Sequence, residues 1–197
     1  MPPLKELSLD REGMIATFTE KLTAEEGSVY RVGNKREAVD KLTVIAAEEG
    51  LQRVAASTDE TIAPLDLPGW GTERGITVYT ADDFGDGDSY RDAVFEDAQA
   101  GITGVDYAVA ETGTLVIAHN RHNPRLVSLA PILHIAVVSV DRMVAVYEQA
   151  IEKLYGKSGD VSSQISFITG PSMTADIQAR PFKGMHGPRR LVVILIG

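Results

Sequence analysis

Three short segments in the second half of this 197-residue chain combine residue types that can do chemistry. In the first, Glu111-Thr112-Gly113-Thr114, a carboxylate directly follows an apolar run and precedes two hydroxyls. Such groups can bind a polar ligand, and the glutamate can act as a base or a nucleophile. The alternative is a tight turn whose polar side chains only satisfy backbone amides.

The second segment, residues 170–177, follows a predicted strand and contains Ser172, Thr174 and Asp176. Its sequence predicts a turn and then a short helix over 173–180. A helix N-terminus exposes backbone N–H groups and a partial positive charge, so it can hold a phosphate or a carboxylate. The alternative, and the more common case, is that Ser172 or Thr174 is an ordinary helix cap.

The third segment, residues 183–190, places His186 beside Gly187 in a glycine-containing loop. Glycine lets the backbone approach a ligand, and histidine titrates near neutral pH, so His186 can be a general acid or base. An exposed loop histidine beside a basic cluster is the alternative. His134, at the start of an apolar strand, is either a core residue or part of a pocket.

The sequence offers few ligands for a metal ion or a cluster. The chain has no cysteine, which excludes disulfides, thiolate catalysis and cysteine-ligated iron–sulfur clusters within it. His119 and His122 have no third ligand near them in the sequence, so we expect neither a metal site nor another cofactor in this chain. The glycine-rich motifs of dinucleotide-binding, P-loop and α/β-hydrolase enzymes are also absent.

Charge and hydropathy indicate where the protein works. The 28 acidic and 19 basic residues give a net charge of −9, which argues against nucleic acid and against an anionic membrane surface as partners. No apolar run approaches the ~20 residues that span a bilayer, and the first residues lack the pattern of a signal peptide. We therefore expect a cytoplasmic protein.

Strand-like and helix-like patterns alternate along most of the chain, which predicts an α/β layered sheet, mostly parallel, with one antiparallel hairpin. The hairpin is formed by 105–110 and 114–118. The first 25 residues predict one or two helical turns, and residues 57–75, with Trp70, predict a loop. Other predicted strands are 28–32, 51–56, 76–80, 134–140, 164–169 and 191–196, and predicted helices are 34–50, 89–99 and 141–156. In such sheets, ligands bind beyond the carboxyl ends of strands, where we expect all three segments.

The motifs resemble those of a known family. Residues 101–115 (GITGVDYAVAETGTL), 128–138 (SLAPILHIAVV) and 170–177 (GPSMTADI), continued by 184–188 (GMHGP), resemble the LUD domain of the lactate-utilisation protein C (LutC/YkgG) family. The resemblance covers about residues 100–197, and the first hundred residues match only in length and outline. We expect an N-terminal helical segment over 1–27 and a single LUD-type domain over 28–197.

The resemblance implies a NagB/RpiA/CoA-transferase-like fold. It also implies a role in oxidising L-lactate to pyruvate with two partner proteins, at least one of which carries iron–sulfur clusters. In the family motif that corresponds to residues 170–178, an arginine usually stands where this chain has Met173, and a glutamate where it has Gln178. Loss of that arginine removes a planar, bidentate anion binder.

Three hypotheses remain open from the sequence. In the first, the protein is an accessory subunit of the lactate-oxidising system and binds a small anionic metabolite. In the second, it is a stand-alone enzyme of the CoA-transferase or sugar-phosphate isomerase type, with Glu111 as base or acyl acceptor. In the third, it is an interaction module without a small ligand, with Trp70 as its best anchor unless this side chain folds back onto its own core. The candidate catalytic residues are Glu111 and His186, and the candidate ligand-binding residues are Thr112, Gly113, Thr114, Ser128, His134, Gly170, Ser172, Thr174, Asp176 and Gly187.

Overall fold

Two sheets form the centre of the molecule in the computed structural model, which describes residues 9–156, 162, 164–174, 182–184 and 186–197. The described helices are α1 (Arg11–Ala24), α2 (Lys35–Glu49), α3 (Leu67–Arg74), α4 (Gly87–Glu96), α5 (Arg125–Leu129) and α6 (Tyr147–Tyr155). The described strands are β1 (Ser28–Val32), β2 (Arg53–Ala56), β3 (Thr77–Tyr79), β4 (Ala100–Gly104), β5 (Tyr107–Val109), β6 (Thr114–His119), β7 (Leu133–Ser139), β8 (Met143–Val144), β9 (Gln164–Ile168), β10 (Met173–Thr174), β11 (Phe182–Lys183) and β12 (Arg190–Ile196).

The larger sheet has six strands in the order β1-β12-β7-β4-β2-β3, and every neighbouring pair is parallel. The smaller sheet, β8-β5-β6-β9, contains the antiparallel β5–β6 hairpin, and β9 pairs antiparallel with β6. The strands β10 and β11 form a separate antiparallel pair. The predicted α/β layered fold, mostly parallel with an antiparallel hairpin, is therefore confirmed.

The order of the strands creates a crevice. Strands β2 and β4 are neighbours in the sheet. The chain goes from β2 to β3 on one side of this pair, and from β4 through the hairpin of the smaller sheet to β7 on the other side. The segments that leave the two strands therefore diverge at their carboxyl ends. Such a switch point is the usual place for a ligand in an open parallel sheet.

The larger sheet is buried on both faces, as parallel sheets are. Side chains alternate along β7, so that Ile135 and Val137 join a core under α2 and α3, whereas Ala136 and Val138 join a core under α1 and the smaller sheet. The helix α5 packs so closely on β4 that a Cβ on Gly101 would lie 1.8 Å from the carbonyl oxygen of Val127.

The predicted loop at 57–75 is wrong over Leu67–Arg74, which forms α3. Asp66 caps this helix and Gly75 ends it in the left-handed region, so the residues that suggested a loop are its start and stop signals. Trp70 is 4% exposed and its Nε1–H donates to Thr43 Oγ1 at 3.0 Å. Trp70 therefore packs into the core, which removes the exposed anchor that the interaction-module hypothesis requires.

The chain differs from the predicted helices in three further places. Helix α1 has 14 residues, longer than one or two turns, and buries Phe18 and Leu22. Asp141 lies in a short 3-10 turn, and the predicted helix begins later, at Tyr147, because Met143–Val144 pairs with β5 as a strand. Met173–Thr174 is a strand, so the predicted helix start there is wrong. Residues 175–180 of that prediction lie outside the described residues.

Candidate functional site

Six of the predicted site residues meet around one cavity of about 230 Å³, here called the motif cavity. They come from three separate stretches of the sequence, yet the fold brings them together. Apolar walls are supplied by Phe167 and Leu191, among others. The six residues are Ser128, His134, Gly170, Ser172, His186 and Gly187.

The motif cavity lies at the amino ends of β7 and β12. His134 is the second residue of β7, and Leu191 is the second residue of β12, its parallel neighbour. The expectation that the segments lie beyond the carboxyl ends of strands is therefore wrong for 128–134 and 186–191, which lead into β7 and β12. It holds for Gly170 and Ser172, which follow the carboxyl end of β9.

Backbone contacts hold two of the motif segments together. The N–H of Ser172 donates to the carbonyl oxygen of Pro188 at 2.8 Å, and the N–H of Gly184 donates to the carbonyl oxygen of Ser172 at 2.9 Å. A Cβ on Gly187 would lie 3.2 Å from Cβ of Ser172, so the two residues touch. Gly170 has a φ of 140° and lies against the carbonyl oxygen of Glu25, which only glycine accommodates without strain.

His134 is 1% exposed and sits at the wall of the cavity as a neutral group. Burial, with a smaller contribution from His119, lowers the pKa of His134 to about 3. Its Nε2 lies 2.8 Å from Thr103 Oγ1, and its Nδ1 has no hydrogen-bond partner among the described residues. The ring can therefore offer one hydrogen bond to a ligand but no positive charge.

A row of hydroxyls connects the first motif to the cavity. Thr112 Oγ1 lies 2.7 Å from Thr114 Oγ1, which lies 2.8 Å from Thr169 Oγ1, and Thr169 lines the cavity. Gly113, between the first two, has a φ of 67° and packs against α1. These three predicted residues support the wall but are not among those that line it.

Glu111 lies outside the motif cavity. Its Oε1 accepts a 2.9 Å hydrogen bond from the backbone N–H of Tyr147, the first residue of α6. Thr174 takes part in the β10–β11 pair through its backbone, and Asp176 lies outside the described residues. Met173–Thr174 is a strand, so the helix start that was to expose backbone N–H groups to an anion is not at Met173.

A second cavity, of about 340 Å³, occupies the crevice between the carboxyl ends of β2 and β4. We call it the crevice cavity, and sequence reasoning missed it because its residues come from four loops between 58 and 142 without a common motif. The available signal was the position of Asp59 and Asp106, each just after an apolar strand. Its main polar residues are Thr58, Asp59, Asp106, His122, Asn123 and Arg142.

No cluster of three or more His, Cys, Asp or Glu suited to a metal ion occurs among the described residues. His119 and His122 face different partners, since Nε2 of His119 contacts Ser166 Oγ at 2.7 Å, whereas Nδ1 of His122 contacts Thr58 Oγ1 at 3.2 Å. Within the part of the chain that the structure describes, none of the helices has the length and apolar character to cross a membrane.

Comparison with known proteins gives the class of protein to which the chain belongs. A solved structure of a DUF162 family protein from Deinococcus radiodurans has the same fold, with a TM-score of 0.64 over 96% of this chain and 99% of that one, at 23% identity. The LUD domain family model matches residues 15–196, and the chain belongs to the LUD domain family.

Three related proteins match most of this chain at the level of sequence. Lactate utilization protein C from Anoxybacillus flavithermus is 31% identical over 165 residues, which cover 83% of this chain and 71% of that protein. Lactate utilization protein C 1 from Bacillus mycoides is 31% identical over 166 residues, covering 82% and 70%. An uncharacterised protein from Neisseria meningitidis serogroup B is 31% identical over 155 residues, or 79% of this chain, and the match spans only 60% of its length.

Proposed function

We propose that this protein is a component of a cytoplasmic system that oxidises L-lactate to pyruvate, and that it acts there as an accessory subunit binding a small anionic metabolite. Two relatives named lactate utilization protein C match over 70% or more of their length, which supports the pathway. The observation that carries the binding role is the meeting of six motif residues around one cavity.

The motif cavity suits a small acid better than a large cofactor. Its volume of about 230 Å³ lies below the ~300–1,000 Å³ of pockets for drug-sized ligands. Ser172 and His186 offer hydrogen-bond donors for a carboxylate, and neutral His134 offers one more bond inside. Phe167 and Leu191 provide an apolar wall for a methyl group.

The oxidation itself requires a partner in this proposal. Without cysteine this chain has no thiolates to ligate an iron–sulfur cluster, so the clusters that accept electrons from lactate belong to partner proteins. The contribution of this chain is then to hold a substrate or product in the assembled system.

The test of the pathway is a pull-down of the tagged full chain from lactate-grown cells, with the eluate assayed for lactate-dependent dye reduction. We expect iron–sulfur proteins to co-elute with that activity. Recovery of the chain alone, without dye reduction, overturns the proposed pathway.

The test of the cavity is complementation of growth on lactate by variants whose melting temperature equals that of the wild type. We expect the double variant Ser172→Ala, His186→Ala to grow poorly, because both donors to the acid are lost. Ser28→Ala, which changes a half-buried serine on β1 away from both cavities, is the matched control and should grow normally. Normal growth of the folded double variant overturns the assignment of the site.

A further inference from the structure

We propose that the crevice cavity is a second ligand site, and that it takes a small polyhydroxylated acid. The hydroxyls of this ligand would donate to Asp106, Asn123 and Asp59, and its acidic group would lie against Arg142 with Arg121 nearby. The site is separate from the motif cavity, so this proposal goes beyond the proposed function.

The position of the cavity is the first argument. It opens where β2 and β4 end and the chain diverges, whereas the motif cavity lies at the amino ends of β7 and β12. Diverging connections leave space that side chains of the sheet do not fill. About 340 Å³ is enough for a ligand of sugar size.

One wall of the cavity is preorganised. The carboxylate of Asp59 accepts hydrogen bonds from Ser57 Oγ at 2.7 Å, from the N–H of Thr61 at 2.9 Å and from the N–H of Gly104 at 3.1 Å. A Cβ on Gly104 would lie 2.1 Å from Asp59 Oδ1. The absence of a side chain at residue 104 therefore lets the carboxylate rest directly on the end of β4.

Acceptors that lack donors face the same region. Asn123 lines the cavity, is 3% exposed and donates from Nδ2 to the carbonyl oxygen of Gly104 at 3.1 Å, which identifies its other terminal atom as the oxygen. That Oδ1 is buried and has no hydrogen-bond partner among the described residues. Since buried polar atoms are rarely left unpaired, a ligand or water hydroxyl is expected to donate to it.

Asp106 adds a second acceptor. Its Oδ2 accepts from the N–H of Ala118 at 2.7 Å, while Oδ1 has no protein donor among the described residues. Burial raises the pKa of Asp106, and the positive charge of Arg142 opposes that rise. A carboxylate that is partly dehydrated gains more from a ligand hydroxyl than one in water does.

Cationic groups lie beside these acceptors. Arg142 pairs with Glu60, and Arg121 lies 3.7 Å from Asp82 in a contact exposed on both sides. Partly exposed ion pairs contribute little to the stability of the fold. A guanidinium in such a pair can therefore share its N–H donors with the acidic group of a ligand. The combination of hydroxyl acceptors and guanidinium donors favours a polyhydroxylated acid over an uncharged polyol or a simple acid.

Calorimetric titration of the full chain with D-gluconate, D-ribonate and D-glycerate tests the proposal. We expect at least one of them to bind, and we expect sorbitol, which lacks the acid, and acetate, which lacks the hydroxyls, to bind at least about tenfold more weakly. Asp106→Asn keeps an acceptor for the N–H of Ala118 and removes the charge, and Arg142→Gln removes the guanidinium. Each should weaken binding by about tenfold or more.

The matched controls are Asp88→Asn and Arg91→Gln, which break an exposed ion pair on α4 and should bind like the wild type. Thermal unfolding identifies any variant that fails to fold, and the second variant then decides. The proposal is overturned by an absence of binding at about 1 mM for all three acids, by equal binding of sorbitol, or by wild-type affinity in both cavity variants. None of these results bears on the motif cavity, so the lactate proposal stands or falls separately.

Discussion

The backbone N–H of Tyr147 donates a 2.9 Å hydrogen bond to Oε1 of Glu111, which lies 36 residues earlier in the chain. Tyr147 is the first residue of α6, and the residue before it, Val146, makes no side-chain cap. Glu111 therefore satisfies one of the N–H groups that a helix start leaves unpaired, and its negative charge faces the positive end of the helix.

The cap predicts different behaviour for two variants of Glu111. Glu111→Gln keeps a carbonyl oxygen for Tyr147 and should leave the free energy of unfolding nearly unchanged. Glu111→Ala removes the acceptor and should lower it by about 1 kcal/mol. We expect Glu111→Gln to support growth on lactate. A folded Glu111→Gln protein that abolishes growth would instead show that function needs the charge of this carboxylate, as the stand-alone enzyme hypothesis requires.

Gly104 gives a prediction on packing. In Gly104→Ala the new methyl would lie 2.1 Å from Asp59 Oδ1, so the loop after β2 must move, and we expect a loss of about 1–3 kcal/mol in the free energy of unfolding. Gly85→Ala is the matched control, because nothing lies within 4 Å of its Cβ position. Urea unfolding measures both, and equal stability of the two variants would contradict the close approach of Asp59 to β4.

The buried indole of Trp70 gives a prediction on hydrogen bonding. Thr43→Val preserves shape but removes the acceptor of the Nε1–H, and we expect a loss of about 1–2 kcal/mol. Thr72→Val is the control, since Thr72, like Thr43, donates its hydroxyl to the carbonyl four residues earlier but is exposed. The chain has one tryptophan, so its fluorescence reports unfolding, and a control as destabilised as Thr43→Val would refute the role of this bond.

His134 gives a prediction on pH. Its pKa is about 3 in the folded protein and about 6.5 in the unfolded chain, so between these values only the unfolded chain is protonated. The free energy of unfolding should therefore fall as the pH is lowered through this window, by up to about 1.4 kcal/mol per unit. His119, whose pKa is also lowered by burial, acts in the same direction.

The measurement is urea unfolding near pH 7 and near pH 5 for the wild type and for His134→Gln. We expect the variant to lose less stability between the two conditions, because it has no imidazole to protonate at that position. His122→Gln removes an exposed imidazole and serves as the control for the substitution itself. An identical pH dependence in the wild type and His134→Gln would show that His134 is not held neutral.

Local signals predicted much of the fold. Asn34 caps α2 by accepting from the N–H of Glu37, and Gly50 ends it in the left-handed region, both as the sequence indicates. Helix α3 was missed because Asp66, Pro68 and Gly75 are also turn residues, and only burial of the helix decides between the two. Its tertiary contacts were not visible in a local pattern.

The site residues also divide into those that local sequence indicates and those that only the fold brings together. Residues in continuous motifs, such as Ser172 and His186, were found from sequence, and the fold places them around one cavity. The end of the sheet at which they meet depends on strand order, which pairs β7 with β12 and is not encoded locally. Asp59 and Asn123 line one cavity because β2 and β4 are neighbours. The sequence shows that Asp59 and Asp106 each follow an apolar strand, but it does not show that these two strands are adjacent.

The place of β12 between β1 and β7 has a consequence for how the protein is made. Residue Val29 pairs with Val193, and Ala136 pairs with the same residue from the other side. During synthesis, β1 leaves the ribosome long before β12, so it must wait unpaired, and the edge of β7 is exposed from its own synthesis until β12 follows. Contacts of such long sequence separation slow folding, and an open strand edge invites pairing with other chains. Aggregation of nascent chains truncated before residue 190 is thus the vulnerability built into this sheet order.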